Sequence, residues 1–232
     1  MKLLARNGNT KVDKTMKATD NSVFAQLSLM PTNELCPASK AAGCFEACLK
    51  SAGLASVYTS VNKARQAKTD YWVNDRDGFI VQLKKELATL AKYCSKHNKQ
   101  GIVRLNVLSD IAWEDYNIPQ EFPTLQFYDY TKRANRLSKE LPANYHLMFS
   151  YSARKQYAKQ VDIAAPSNAP IAVVFSGKFP KTFLNRPVID GDVSDWVNVN
   201  AGRVVVALKA KGQAKHDTTG FVVNSDDLIA MA

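Results

Sequence analysis

The chain has 232 residues, 46% of them apolar, enough to bury a sizeable core in one large domain or two small ones. Lysine and arginine outnumber aspartate and glutamate by 31 to 21, a formal charge of +10. No apolar run approaches the roughly 20 residues of a membrane helix, and "MKLLARNGNTKVDK" lacks the apolar centre and cleavage site of a secretory leader, so the expectation is neither a membrane nor an exported protein.

Residues 1–22 read as a polar, basic arm, and 23–232 as a single domain with no Pro/Gly-rich linker to divide it. "VFAQLSLM" (23–30) predicts a first strand stopped by Pro31. A helical insertion follows. Ser39 is the expected N-cap of a helix carrying "KAAGCFEACLKSAG" to Gly53, "SVNKARQAKTDYW" is a second helix, and "DRDGFIVQLKKELATLAKYCSKHNKQG" is a third. In the third, Ile80, Leu83, Leu87, Leu90 and Cys94 recur at spacings of three and four, an amphipathic stripe.

Beyond Gly101 the pattern becomes strand, polar turn, short helix. Strands are expected at "IVRLNVL", "TLQFYDY", "YHLMFSY", "IAVVFSG", "PVID", "RVVVALKA" and "GFVV", with helices at "DIAWEDYN", "KRANRLSKEL" and "ARKQYAKQVDI". Such alternation predicts an α/β fold with a largely parallel sheet. The architecture expected first is (β/α) barrel-like, complete or partial, with the helical insertion after the first strand. An open doubly wound sheet is the alternative.

In a parallel barrel the C-terminal strand ends share one mouth, where active sites are built. Polar residues gather at those ends. Arg104, Asn106, Asp129, Lys132, Asp190 and Lys209 are therefore expected to line a cofactor or substrate pocket. Arg104, Asp129 and Lys209 lie within apolar strands and need partners if buried.

Three of the four cysteines fall in "CPASKAAGCFEACLK": Cys36, Cys44 and Cys48, spaced C-x7-C-x3-C. On a helix, Cys44 and Cys48 would share one face a turn apart, and Cys36 would fold back from the preceding loop. The helix N-terminus and Lys40 would favour thiolates. In a reducing cytoplasm this clustering points to metal rather than disulfides. Structural zinc wants four protein ligands, usually in C-x2-4-C pairs that are absent here. Cys94 belongs to the apolar stripe of its helix, and His97, His146 and His216 stand alone. A thiolate trio with an exchangeable fourth position suits an iron–sulfur cluster, [4Fe-4S] in form, better than the alternative, zinc.

The placement of a three-cysteine loop after the first strand is similar in layout to the radical S-adenosylmethionine enzymes, although their C-x3-C-x2-C spacing and acidic Gly-Gly motif are not present. A broader resemblance rests on "LSLMPTNELCP…GCFEACL", "SVNKARQAKT", "VRLNVLSDIAWE", "FPTLQFYDYTK", "LPANYHLMFS", "RPVIDGD" and "VVALKAKG…TTGFVV". In these stretches the chain resembles a family of bacteriophage proteins known as gene product 88-like. The resemblance implies a phage protein of the host cytoplasm with an iron–sulfur cluster on the three matching cysteines, and it implies no particular reaction.

Two function classes follow. One is an iron–sulfur protein with redox or radical-type activity on a small molecule, or with a redox partner. The other is a non-catalytic metal or cluster protein with a structural, electron-transfer or assembly role, including as an oligomer. The lysines are dispersed and no nucleic-acid-reading motif occurs, so only weak, non-specific nucleic-acid binding is expected from the charge.

Overall fold

The computed structural model describes residues 1–6, 21–45, 47–48, 57–194, 196 and 199–225. Strand β1 (Ser22–Gln26) leads into the insertion, which holds a single-turn helix α1 (Ser39–Ala42) and two long helices, α2 (Thr59–Asn74) and α3 (Arg76–Lys96). There follow β2 (Gln100–Arg104), the short α4 (Ile118–Glu121), β3 (Leu125–Thr131), β4 (Tyr145–Ser150), α5 (Ala158–Ala164) and β5 (Ile171–Ser176). A two-residue β6 (Thr182–Phe183), β7 (Arg186–Asp190), β8 (Val205–Lys209) and β9 (Val223–Asn224) complete the set.

The sheet runs β1-β2-β3-β4-β5-β8-β7-β6, parallel throughout except for the β6–β7 hairpin. Strand β8 already occupies one edge of Phe175, so β9 pairs with the end of β5 on the edge that β4 leaves. Consecutive parallel neighbours joined by right-handed crossovers place all their connections on one face. That face carries two core clusters. Trp72, Phe79, Leu83, Leu87, Leu90 and Cys94 pack on Val23, Ala25, Val103, Leu125 and Phe127, while Ala134, Tyr157 and Ala164 pack on Phe149, Ile171 and Val173.

The opposite face explains why the expected barrel is not found. In a barrel these side chains would meet each other across a closed interior. Here Tyr128, Met148, Ala172 and Val206 are covered by Val199 and Trp196 from the β7–β8 connection. Among the described residues nothing pairs β1 with β6 or β7. Gln26 is instead bridged by Ala5 in antiparallel fashion. The result is an open, mostly parallel, nine-stranded α/β sheet. Its first five strands follow in order, and the path reverses only beyond β5.

Local chemistry accounts for the long helices. Asp75 caps α3 by accepting from the Gly78 N–H at 2.9 Å, Asp77 lies in the first turn and Lys96 in the last. Trp72 of α2 meets Phe79 and Trp113 edge-on, at 5.3 and 5.5 Å. The stretches expected as helices around Trp113 and Ala134 form only 3-10 turns, Trp113–Tyr116 and Ala134–Ser138, too short to support α-helix nucleation. At the N-terminus, Leu3 and Leu4 are buried in the core, while residues 7–20 of the expected arm lie outside the described residues.

Candidate functional site

The cysteine segment sits at the C-terminal end of the sheet. Cys36 donates its N–H to the Thr32 carbonyl, and its thiol reaches the Leu108 carbonyl at 3.4 Å. The next residues fold tightly. Ser39 donates its hydroxyl to the Cys36 carbonyl at 2.6 Å, and Ala38, not Ser39, occupies the N-cap position of α1.

The helix expected to run on to Gly53 stops after Ala42. Gly43 adopts φ 74°, the left-handed conformation that terminates helices. Cys44 therefore lies beyond the helix, with its N–H and its thiol both directed to the Ser39 carbonyl. The helical pairing of Cys44 with Cys48 does not occur, and residues 46 and 49–56 lie outside the described set.

Distant donors hold this ending. Ser152 donates to the Ala42 carbonyl at 2.7 Å, Arg154 to that of Lys40 at 2.9 Å and Thr219 to that of Gly43 at 3.3 Å. A Cβ at Gly43 would stand 2.4 Å from the Thr219 hydroxyl and 2.6 Å from the Arg154 side chain. Gly43→Ala combines that crowding with a left-handed backbone, and should cost at least about 1 kcal/mol. Urea unfolding checks this, and an unchanged midpoint would remove Gly43 from the role assigned to it.

Cys44 and Cys48 both lie within electrostatic reach of Cys36. Burial first, then Asp110, Cys44 and Cys48, push the Cys36 thiol well above its ordinary range, while Arg133 pulls it down. Cations stand beside the cysteines. The half-buried Lys132 donates to the Ser150 and Tyr151 carbonyls, both at 3.1 Å, and lies 4.5 Å over the Phe221 ring. Burial lowers its pKa, against the pull of Cys44, Asp110 and Cys36. Burial likewise lowers that of Arg65, and Cys48 opposes it.

Of the six residues expected to share a pocket, only Lys132 meets the cysteines. Asn106 and Asp129 join each other, but inside the core. Asp129 accepts the Asn106 backbone N–H at 2.6 Å and its side-chain amide at 3.1 Å, and Tyr145 donates to it at 2.9 Å. Arg104 projects from the other face, 4.5 Å over the Tyr130 ring. Asp190 and Lys209 are exposed at the far strands, where Asp190 accepts the Asp192 N–H and Lys209 donates its own N–H to the Asp192 carboxylate. Strand β8 lies three steps from β3, roughly 14 Å away at the usual strand spacing. No single bowl collects the six.

The buried chemistry that composition did not reveal is a charged hub. Arg136, 1% exposed, makes a two-pronged pair with Glu114 at 2.9 and 2.8 Å, and also reaches Asp110 and Tyr145, each at 2.8 Å. Asp110 further accepts from Thr131 and from the Lys132 N–H, which ties the hub to the cysteine corner. In the sequence, Asp110 and Glu114 read only as polar residues of the expected helix "DIAWEDYN".

Burial pushes the neighbouring Asp129 carboxyl up to about 7, against the pull of the Asn106 N–H, Arg136, Arg104 and Tyr145. A carboxyl raised above its unfolded value of about 3.9 stabilises the fold fully below that pH and loses the contribution as pH rises through about 7. At about 1.4 kcal/mol per pH unit the loss reaches roughly 4 kcal/mol. Asp129→Asn should remove this fall in stability across that window, even though the variant starts less stable. Urea midpoints measured at stepped pH test it, and a variant keeping the wild-type slope would contradict it.

Among the described residues, no three His, Cys, Asp or Glu side chains are gathered to hold a metal ion. The helical alignment expected for Cys44 and Cys48 is not seen, because the helix ends at Gly43. The family model for gene product 88 matches residues 2–225, nearly the whole chain. The chain belongs to the gene product 88 family. No curated protein and no solved structure matches it. Family membership by itself names no activity, so the function must be argued from the residues. No described helix is long and apolar enough to cross a membrane.

Proposed function

We propose that this gene product 88 protein binds an iron–sulfur cluster, [4Fe-4S] in form, through Cys36, Cys44 and Cys48. What supports the reading is three soft thiols, Cys44 and Cys48 both close enough to influence Cys36, with basic side chains acting on them: Lys132 on Cys36 and Cys44, Arg133 on Cys36 and Arg65 on Cys48. Thiolates are the usual protein ligands of iron–sulfur clusters, and neighbouring cations offset their charge. In kind, three thiols suit such a cluster. Each cysteine of a four-iron cluster meets its own iron, so the sulfurs need not converge on one point. Zinc at about 2.3 Å from each sulfur requires ligands that do converge, four of them in a structural site.

When bound, the cluster would supply one-electron redox chemistry. The chain's own residues provide the remainder. Ser152, Arg154 and Thr219 fix the turn before Cys44, Leu108 orients the Cys36 thiol, and Lys132 places positive charge between strands and thiols. The dispersal of Arg104, Asn106, Asp129, Asp190 and Lys209 favours a structural or electron-transfer role over a reaction in a gathered polar pocket. The proposed setting is the host cytoplasm during phage growth, where thiols remain reduced.

Anaerobic reconstitution with iron and sulfide provides the test. The chain should develop stable visible charge-transfer absorption that survives desalting. Loss of all colour on desalting would sink the reading.

A further inference from the structure

We infer that the solvent face of α3, with the cleft it forms against the N-terminal segment, is a surface for the phosphate backbone of nucleic acid. The buried stripe of α3, from Phe79 to Cys94, faces the core, and Lys85, Lys92 and Lys96 fall on the opposite side. At about 1.5 Å per residue these three lysines span roughly 17 Å.

The row has one sign. The sequence contains no aspartate or glutamate between Glu86 and Asp110. Among the described residues no carboxylate pairs with Lys85, Lys92, Lys96 or Lys99. Four surface cations elsewhere are paired, Lys84 with Glu121, Arg76 with Glu34, Lys139 with Asp115 and Lys211 with Asp192, and none of these lies in the row.

Beside the row, the Arg6 guanidinium lies 4.8 Å over the Tyr93 ring, and the His97 ring packs 4.4 Å from Tyr93. A cleft of about 520 Å³ opens along the same side, with Lys2, Arg6 and Lys85 among its lining residues. The cleft also carries one carboxylate, Glu86, which is turned to the Leu3 and Leu4 N–H groups, both at 2.8 Å. A continuous lysine row with no base-reading element matches backbone contact, which positions without specifying. A membrane is the poorer partner. Ala88, Thr89 and Ser95 flank the lysines where an interfacial helix would carry large apolar residues.

The test is a fluorescence-anisotropy titration of the full chain against labelled oligothymidine of about 25 nucleotides, from about 50 to about 200 mM salt. Four phosphate contacts predict a slope of about −2.8 in log K against log salt, hence roughly a 50-fold loss of affinity over that range. The triple variant Lys85→Gln, Lys92→Gln, Lys96→Gln should reduce the slope by about 2. A second triple, Lys155→Gln, Lys159→Gln, Lys178→Gln, removes equal charge from exposed sites elsewhere and should leave the slope unchanged. Equal weakening by both triples would assign the binding to diffuse charge and overturn the inference. No salt-dependent binding, or binding to anionic vesicles but not to DNA, would overturn it as well. None of these outcomes depends on whether the chain carries iron.

Discussion

Cys36→Ala, Cys44→Ala and Cys48→Ala should each strip the anaerobically prepared protein of iron and acid-labile sulfide, while Cys94→Ala should keep both. The contrast follows from where the sulfurs lie. Cys36, Cys44 and Cys48 are partly exposed and lie close enough for the other two to raise the Cys36 thiol. Cys94 is buried at 4% exposure among Leu87, Leu90 and the strands beneath them. A cluster held by three cysteines has no spare protein thiolate, so one deletion leaves two ligands and an easily lost cofactor. Cys94→Ala instead opens a small cavity, and its effect should be confined to stability, on the order of 1 kcal/mol. Iron retained by all three single variants would remove these residues as ligands. Iron lost only in Cys94→Ala would move the site to the core of α3.

The second large effect is expected at a residue far less conspicuous in the sequence. Arg136→Met keeps most of the side-chain volume but leaves the buried Asp110 and Glu114 without their common cation. Breaking a buried pair in this way costs about 3–5 kcal/mol. For a chain of this size that corresponds to a fall in melting temperature of roughly 10 °C. Glu114→Gln in the same background should recover part of the loss, because it removes one of the stranded charges. Calorimetry of the single and double variants decides the matter. A loss below about 1 kcal/mol for Arg136→Met would mean that water reaches the hub and that Arg136 does not organise it.

Much of the fold was legible because it depended on local pattern. The stripe of α3 and the alternating short strands announced themselves in residue periodicity, and the parallel sheet followed from them. Closure did not, because it turns on which edges meet and on Trp196 and Val199 covering the inner face. The cysteine helix failed for a related reason. Gly43 reads as an ordinary helix glycine until Ser152 and Thr219, 110 and 176 residues from the carbonyls they hold, fix the chain's exit there.

The polar strand ends were visible, but their faces were not. Val103 pairs with Phe127 in register, so Asp129 points into the helical side while Arg104 points away from it. One residue of parity separates a pocket from a buried hub. Lys132 escaped this ambiguity because it lies one position past β3, where the chain turns toward Cys44.

Iron and acid-labile sulfide, quantified on wild-type chain purified without oxygen and paired with EPR after reduction, test the central claim most directly. The account predicts about four of each per chain, with the spectrum of a reduced [4Fe-4S] cluster. Stoichiometric zinc with no iron, or a chain free of both iron and sulfide, would contradict it.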